Sequence, residues 1–463
     1  MKRVLIGVLL ATVCASVCAC GEPKETLPPK ATTLPSQIQT APTATSPTES
    51  TGGVPPVTTV PPVTTVPPVT TVPPQTIAPT EPTQPPVLTG WQEKDDKTYF
   101  YLTDGTAATG WLEVAGNRYY FSADGVMRTG WMAKEEGLYY LGDDGVMRTG
   151  WQEIHQKRYC FTENGLALTG WQDGEDGMRR YFQPDGSMAV GWAIVDGSRR
   201  YFDAEGFMQT GWVEVAGRRY YLGDDGVMYT GWLQQDGRLY YLRSDGTMAR
   251  GCVEIDGVKN YFSSTGDYIL LANPWNFIPE DYDPKLVDIS NQYCFYGGVV
   301  AEDCYADLLK MLQDCEKQCY KAVVVSAYRT HEFQTQNYQR KVNYYKNLGY
   351  NQKEAEELAA KVVAVPGTSE HQLGLAVDLV DNRNWSLDDS QANTPVQKWL
   401  MEHCWEYGFI LRYPKDTTDE TGIIYEPWHY RYVGKELAQE LRECGLTLEA
   451  YLNKLTEEEA AKG

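Results

Sequence analysis

The chain has 463 residues, enough for two or three domains. It carries 41 Lys and Arg against 62 Asp and Glu, a formal net charge of −21. Nucleic acid is therefore not expected as a partner, because phosphate binding needs a basic face. Tyr and Trp number 32 and 13 against 11 Phe, an excess of rings with one polar edge that is typical of binding surfaces.

The N-terminal residues predict a secretory leader. Two basic residues precede an apolar run at 4–13, which is too short to span a bilayer but suits a secretory signal. Residues 17–21, Val-Cys-Ala-Cys-Gly, resemble the lipobox of bacterial lipoproteins. The resemblance implies a lipoprotein signal peptide over 1–19, lipidation of Cys20, and an extracellular lipoprotein anchored to the membrane at the cell wall. An ordinary signal peptide cut before Gly21 is the alternative.

Residues 20–89 predict a disordered Pro/Thr-rich linker. The stretch 21–89 contains 18 of the 26 Pro and no aromatic residue, and Val-Pro-Pro-Val-Thr-Thr recurs from Val54 to Thr71. Such a composition cannot bury enough apolar surface to offset its ordering entropy. An extended chain of this length reaches on the order of 200 Å at roughly 3.1 Å per residue, which suits a tether between a membrane and a wall.

A twenty-residue period begins at Gly90. The unit Trp111–Gly130, for example, has two short β-prone runs that flank a Gly-containing turn. A lone hairpin is marginally stable in water, so the units must stack and share a core. We therefore predict a β-hairpin solenoid of about nine repeats over 90–268. The ninth unit begins at Gly251-Cys252 without its Trp, and the other eight begin at Gly-Trp pairs: 90/91, 110/111, 130/131, 150/151, 170/171, 191/192, 211/212 and 231/232.

The repeats resemble the cell-wall-binding repeats of choline-binding and glucan-binding surface proteins. The resemblance implies aromatic cages at the junctions, where ring faces attract a quaternary ammonium, or flat rings that stack on sugars. Teichoic-acid choline and cell-wall glycan both stay open as ligands. Cys160 replaces a repeat Tyr and Cys252 a repeat Trp, which puts the cages at those positions in doubt. The residues predicted to bind the wall ligand are Trp111, Trp131, Trp151, Trp171, Trp192, Trp212 and Trp232.

Residues 269–463 predict an α+β domain of about 195 residues, long enough for a core of its own. Apolar periodicity and breaker residues give its expected elements. The expected helices span 306–320, 334–348, 352–363 and 394–407, the expected strands span 321–326 and 375–380, and 422–433 is expected to be extended.

Two motifs in this domain carry the residue types of a catalytic zinc site. One reads Ser-Glu-His-Gln-Leu-Gly-Leu-Ala-Val-Asp and ends at Asp378, and the other begins with Glu-Pro-Trp-His at Glu426. A catalytic zinc takes three protein ligands and keeps one position open, and His371, Asp378 and His429 supply two imidazoles and a carboxylate. Glu426 is expected near the metal without binding it, where a carboxylate can carry protons from water to a leaving amine.

Both motifs resemble, at every motif position, those of the zinc D-alanyl-D-alanine carboxypeptidases of the VanY type and the related L,D-carboxypeptidases. The resemblance covers essentially all of 269–463. It implies a VanY-like fold with zinc as the cofactor. His371, Asp378 and His429 would be the zinc ligands and Glu426 the catalytic acid/base.

A third segment, Ser-Ala-Tyr-Arg-Thr from position 326 onward, resembles the arginine segment of the same family. The resemblance implies that Arg329 acts in catalysis and substrate binding, by holding the substrate's terminal carboxylate or the developing oxyanion. It also implies that Ser369 and Gln334 hydrogen-bond the substrate. A surface pair between Arg329 and Glu332 is the alternative. Tyr413, which precedes a Pro, is a further candidate for the lining of the cleft.

The remaining histidines and the cysteines give weaker signals. His155, His331 and His403 are expected to be structural. An exported protein with an even number of cysteines can form disulfides, but buried thiols are the other interpretation. The six cysteines of the C-terminal region are Cys294, Cys304, Cys315, Cys319, Cys404 and Cys444.

The sequence thus predicts a zinc-dependent carboxypeptidase that removes a C-terminal D-Ala from peptidoglycan stem peptides and is held at the wall by its repeats. The Arg329 segment favours a substrate with a free C-terminus. Within enzymes, the alternatives are an L,D-carboxypeptidase acting on the tetrapeptide and an endopeptidase that cuts crosslinks. A wall-binding adhesin with an inactive peptidase domain is the non-enzymatic alternative. The chain lacks Ser-x-x-Lys and Lys-Thr-Gly, which argues against a serine peptidase.

Overall fold

The computed structural model describes residues 87–174, 177–279 and 281–462, together with the backbone of residues 39–40. The predicted signal peptide, the lipidation site Cys20 and the linker up to residue 86 lie outside the described residues. In the described part of the chain, no helix has the length and apolarity needed to cross a membrane. The chain separates into two compact units, of which the described parts are 87–249 and 250–462.

The first unit is a succession of antiparallel hairpins, as predicted. A two-residue strand, Gln39–Thr40, runs parallel to one strand of the eighth hairpin. The strand pairs are Gly90–Lys94 with Lys97–Tyr101, Gly110–Val114 with Asn117–Phe121, Gly130–Lys134 with Gly137–Leu141, Gly150–Ile154 with Lys157–Phe161, Gly170–Asp173 with Arg179–Phe182, Gly191–Val195 with Ser198–Phe202, Gly211–Val215 with Arg218–Leu222, and Gly231–Gln235 with Arg238–Leu242.

Local sequence explains both the turns and the stacking of these hairpins. Ala115 and Gly116 have φ angles of 53° and 81°, and a two-residue turn with both φ positive matches the twist of its strands. After the second strand, the backbone N–H of Met127 donates to the carbonyl of Thr98 in the preceding hairpin at 2.8 Å. A Cβ on Gly145 would lie 2.3 Å from the Met127 sulfur, so the Asp-Gly position must stay glycine for the units to stack.

In its described residues, the second unit combines the ninth hairpin with seven helices and a four-stranded sheet. The hairpin pairs Gly251–Ile255 with Val258–Phe262, and Tyr268–Ile269 adds a third strand. The other strands are β1 (Leu286–Asp288), β2 (Val299–Ala301), β3 (Ala322–Ser326), β4 (Ala376–Asp381), β5 (Phe409–Leu411) and β6 (His429–Tyr432). The helices are α1 (Glu302–Lys317), α2 (His331–Asn347), α3 (Gln352–Ala360), α4 (Pro395–His403), α5 (Thr418–Thr421), α6 (Lys435–Cys444) and α7 (Leu448–Ala461), and short 3-10 turns span Glu370–Leu373, Asp389–Asn393 and Cys404–Tyr407.

The ninth hairpin packs on the C-terminal helix. A Cβ on Gly251 would lie 2.6 Å from the backbone nitrogen of Thr456 in α7, and the N–H of Cys252 donates to the Thr456 hydroxyl at 2.7 Å. The repeat that lost its Trp therefore makes a different contact from the other eight. The domain boundary drawn at 268/269 remains a prediction.

The central sheet has the order β3-β4-β6-β5 and is antiparallel throughout. Apolar residues of α1 and α4 pack against it to form the main core, including Leu308, Leu312, Leu400 and Val377. A second core forms between α6, α7 and the strand at Tyr268–Ile269.

Most predicted elements of this unit exist, with shifted ends. The helix expected at 394–407 is α4 followed by a 3-10 turn. The extended segment expected at 422–433 is wrong except for β6. Gly422 ends α5 in a left-handed conformation, and the N–H of His429 closes a turn onto the Glu426 carbonyl at 3.2 Å.

Candidate active site

The central sheet brings the two motifs together. On β4, Asp378 lies opposite Ser326 on one side and opposite His429 of β6 on the other. The Asp378 Oδ1 atom is 3.1 Å from Nδ1 of His429, and Asp378 Oδ2 is 3.3 Å from Nε2 of His371. One ligand atom from each of these three buried residues lies within 4.8 Å of the other two. The predicted ligand set thus forms a single cluster.

His371 is fixed from both sides of its turn. Its Nδ1 lies 2.7 Å from the carbonyl oxygen of Ala327, and its own carbonyl accepts the N–H of Arg329 at 3.1 Å. The 3-10 turn ends at Gly374, whose φ is +72° and whose added Cβ would lie 3.0 Å from the backbone nitrogen of Ala301. This packing leaves Nε2 as the ring nitrogen of His371 that faces the cluster.

Burial and neighbouring charges shift the pKa of each member of the cluster. Burial, together with the Arg329 guanidinium, lowers the pKa of His371 to about 4. Burial also favours the neutral form of His429, but the Asp378 and Glu370 carboxylates raise its pKa to about 9. Burial opposes the charge of Asp378, yet the imidazoles and Arg329 hold its pKa well below the usual value. The carboxylate is therefore ionised and ready to bind a cation.

Glu426 lies beside the cluster at the turn before β6. Its Oε2 is 3.8 Å from Nδ1 of His429, and its backbone N–H donates to the carbonyl of Tyr413 at 3.1 Å. Only 8% of the residue is exposed, and burial raises the pKa of its carboxyl to about 8. A carboxyl with a pKa near neutrality can both accept and return a proton.

The predicted substrate residues surround the same cluster. Arg329 donates from Nη2 to Asp378 Oδ2 at 2.9 Å and from Nη1 to the Gln334 side-chain oxygen at 3.3 Å. Gln334 is fully buried and donates to a backbone carbonyl of the loop after α3 at 2.7 Å. Ser369 is buried next to the 3-10 turn. The alternative pair with Glu332 is wrong, since the partner of Arg329 is Asp378.

Tyr413 is also at the site, packed against a predicted ligand. Its ring centroid lies 4.8 Å from that of His429, and 5% of the residue is exposed. The other three histidines lie apart from the cluster. His155 occupies a hairpin turn with a φ of 50°, His331 begins α2, and His403 lies 2.7 Å from a carboxylate oxygen of Glu406.

Sequence reasoning missed one residue of this site, Glu370. Its side chain is completely buried, with Oε2 3.6 Å from Nε2 of His429. Burial opposes its charge, but Arg412 and Arg431 hold the pKa of Glu370 well below the usual value. The sequence signal that could have indicated Glu370 is its position directly before the predicted ligand His371. Its partners Arg412 and Arg431 lie 42 and 61 residues further along the chain, so the sequence did not indicate these ion pairs.

The six cysteines from Cys294 to Cys444 are free thiols in this structure. Cys319 and Cys444 are exposed, and the other four are buried. Burial raises the pKa of Cys304, Cys315 and Cys404 to about 12, which makes these thiols poorly reactive.

The Trp residues of the repeats meet other rings at the junctions between hairpins. The Trp111 ring lies 5.2 Å from Tyr120 across its own hairpin and 5.1 Å from Tyr139 of the next. The same arrangement, with one Tyr of the same hairpin and one Tyr of the next, surrounds Trp131, Trp192 and Trp212. The faces of some rings already hold a cation of this chain: Arg guanidinium carbons lie 4.9, 4.5, 4.4 and 4.6 Å from the ring centroids of Trp111, Trp171, Trp192 and Trp212.

The repeat that carries Cys160 differs from its neighbours. Cys160 stands opposite Trp151 where other repeats have a Tyr or Phe, and Trp151 is 52% exposed. Its ring meets Phe182 at 5.9 Å. Trp151 therefore lacks a ring opposite it on its own hairpin, and whether this junction forms a cage stays a prediction.

Comparison with known proteins separates the same two regions. Residues 298–435 match the VanY family, described as D-alanyl-D-alanine carboxypeptidase. The C-terminal part of the chain belongs to this family. The choline-binding repeat family matches residues 108–149, 168–209 and 209–250, so the hairpin array is built of choline-binding repeats.

The VanY-type domain has a similar relative in Enterococcus faecalis, named D-alanyl-D-alanine carboxypeptidase. The two are 43% identical over 186 residues, which is 40% of this chain and 65% of the relative. The chain therefore spans less than two thirds of that relative's length. Among solved structures, VanYB in complex with D-alanine-D-alanine is 41% identical, covering 40% of this chain and 96% of the other, with a TM-score of 0.36. CbpJ of Streptococcus pneumoniae is 28% identical, covering 40% and 72%, with a TM-score of 0.34.

Proposed function

We propose that this chain is a zinc-dependent carboxypeptidase that removes a C-terminal D-Ala from peptidoglycan stem peptides. The observation that carries the proposal is the buried cluster of His371, Asp378 and His429 beside Glu426, within a VanY-type domain. The similar enterococcal protein carries the name of the same activity. The four intact residues also weigh against an adhesin with an inactive peptidase domain.

Incubation of the zinc-loaded chain with purified tri-, tetra- and pentapeptides and with crosslinked peptides, followed by mass analysis, tests this activity. The expected result is loss of one alanine from the pentapeptide. Loss from the tetrapeptide instead would favour the L,D-carboxypeptidase. Cleavage of crosslinked peptides alone would favour the endopeptidase and overturn the proposal.

The donor set of the cluster fits zinc. Two imidazoles and one carboxylate are typical of catalytic zinc, which keeps a further position open. The residues that would hold the ion are His371 through Nε2, Asp378 through its carboxylate and His429 through Nδ1. The Ala327 carbonyl next to Nδ1 of His371 gives that imidazole the outer-shell partner common among metal-ligating histidines. When bound, zinc would polarise the scissile carbonyl and lower the pKa of a water molecule.

Glu426 is proposed to carry the proton of the reaction. Its carboxylate accepts a proton from the attacking water, and its carboxyl returns that proton to the leaving amine. Its burial supports this role because the pKa of the group is raised toward neutrality. Its Oε2 is near the cluster, at 3.8 Å from His429 Nδ1, and backbone hydrogen bonds to Tyr413 and His429 hold its main chain.

Arg329 is proposed to hold the substrate's terminal carboxylate or the developing oxyanion. The guanidinium is partly exposed, with 18% of its side chain accessible, while Gln334 and Ser326 orient it through Nη1 and Nε. Substrate binding would place the terminal carboxylate of the peptide near the Arg329 guanidinium, which already contacts Asp378. Ser369, Gln334 and Tyr413 complete the proposed substrate side of the site.

The chain is further proposed to be an extracellular lipoprotein, anchored through Cys20 and extended through the Pro-rich linker to the wall. The leader and lipobox of the sequence support this location. The choline-binding repeats support binding to teichoic-acid choline, and sugar stacking by the same rings is the second candidate.

We expect wall binding to depend on the Trp rings of the repeats. In full-length protein carrying Glu426→Gln to prevent wall hydrolysis, replacing Trp192 and Trp212 with Ala should reduce retention on purified walls severalfold, because two ring clusters are lost. Trp385→Ala is the matched control, since this 43% exposed Trp lies in the second unit. Elution by free choline would identify ammonium cages, whereas elution by glycans alone would identify sugar stacking. Unchanged retention of the double variant would contradict the assignment of these rings.

A further inference from the structure

Two buried polar atoms without hydrogen-bond partners face each other behind the cluster. They are Oε2 of Glu370 and Nε2 of His429, which are 3.6 Å apart. The other oxygen of Glu370 accepts hydrogen bonds from Nε of Arg412 and Nη1 of Arg431, both at 2.8 Å. Because the arginines contact only Oε1, Oε2 of Glu370 stays available to the imidazole of His429.

The position of His429 explains what that second oxygen can do. Nδ1 of the ring points into the cluster, 3.1 Å from Asp378, so Nδ1 is the nitrogen available to a metal. A neutral imidazole that ligates through Nδ1 carries its proton on Nε2. A carboxylate that accepts this Nε2–H fixes the tautomer and the ring orientation.

We propose that Glu370 is a positioning residue for the metal centre, whose free oxygen accepts the Nε2–H of His429 and so presents Nδ1 to zinc. The inference rests on the proposed function, because it assumes that zinc binds at His371, Asp378 and His429. It extends that function by adding an outer-shell residue.

A buried network of balanced charge holds Glu370 in this role. Arg412 also donates from Nη1 to Glu449 of α7 at 2.8 Å, and Arg431 donates from Nη2 to the carbonyl of Leu270 at 2.8 Å. Two guanidiniums and two carboxylates thus compensate one another in a buried network, in which the side chains of Arg412 and Glu370 are fully buried. Because buried ion pairs tolerate the loss of one partner poorly, the carboxylate has little freedom to leave His429.

Glu370→Gln tests the proposal. The amide oxygen can still accept from the arginines, but the amide nitrogen then faces Nε2 with donors, which favours the wrong tautomer of His429. We expect zinc affinity, measured by competition with a chromophoric chelator, to fall about 10–100-fold, as for other outer-shell partners of metal ligands. Turnover at saturating zinc should recover in part.

Glu449→Gln is the matched control. It removes one carboxylate from the same network at a position that does not contact His429, so both variants should lower the thermal unfolding midpoint. Zinc affinity should fall only in Glu370→Gln. Equal zinc affinity in wild type and Glu370→Gln, or an equal loss in the two variants, would overturn the positioning role.

The tautomer of His429 can be measured in the wild-type protein, so this test does not depend on whether a variant folds. In zinc-loaded wild type with ¹⁵N-labelled histidine, the proposal expects a protonated Nε2 and a metal-bound Nδ1 for His429. A protonated Nδ1 would overturn it. A wild-type chain that binds no zinc would instead overturn the proposed function, and this inference with it.

Discussion

Chelation of the metal should abolish amino-acid release from stem peptides, and stoichiometric zinc should restore it. The reason is that His371, Asp378 and His429 place three metal-ligand atoms within 4.8 Å of one another. The measurement is release of alanine from pentapeptide before and after dialysis against a chelator, followed by zinc addition. Magnesium is the control ion and should not restore activity, because it prefers oxygen ligands and octahedral geometry. Full activity in a preparation shown to be free of metal would contradict the mechanism.

Glu426→Gln should lower turnover by about 10²–10⁴-fold, the range expected when an acid/base group is lost. The amide keeps the shape of the side chain but cannot take up a proton. Because Glu426 is buried with a raised pKa, the substitution removes no ionised partner that the fold requires, and the thermal unfolding midpoint should change little. The measurement is kcat on pentapeptide beside the unfolding midpoint. Wild-type turnover in this variant would remove Glu426 from the mechanism.

The hairpin array could be predicted from the sequence because its determinants are local. Several turns pair a residue of positive φ with a Gly, as at Ala115 and Gly116. The glycine after the second strand, such as Gly145, lies too close to the preceding unit to carry a Cβ without a shift. Repetition of the pattern then predicts the stacking.

The cluster of His371, Asp378 and His429 was predicted from motif resemblance rather than from geometry. The register that brings Asp378 opposite His429 depends on β4 pairing with β6 across 51 residues of sequence, which local patterns do not specify. The turn at Glu426 was not predicted either, since 422–433 was expected to be extended.

The polar network behind His429 could not be predicted from local patterns. Glu370, Arg412 and Glu449 each resemble an ordinary charged residue of a turn, a strand end or a helix. Only the fold places them together in a buried site. Helices α6 and α7 were also missed, although Leu437, Leu441, Leu448, Leu452 and Leu455 have the spacing of an apolar helix face.

Zinc content measured beside turnover in the same preparations tests the central claim most directly. The proteins to compare are wild type, Glu426→Gln, His371→Ala and Asp378→Ala. The account predicts about one zinc per chain in wild type and Glu426→Gln, with turnover lost in the latter, and loss of both zinc and turnover in the two ligand variants. The contradicting result is zinc loss in Glu426→Gln together with a metal-loaded Asp378→Ala. It would show that Glu426 is the ligand and Asp378 the acid/base.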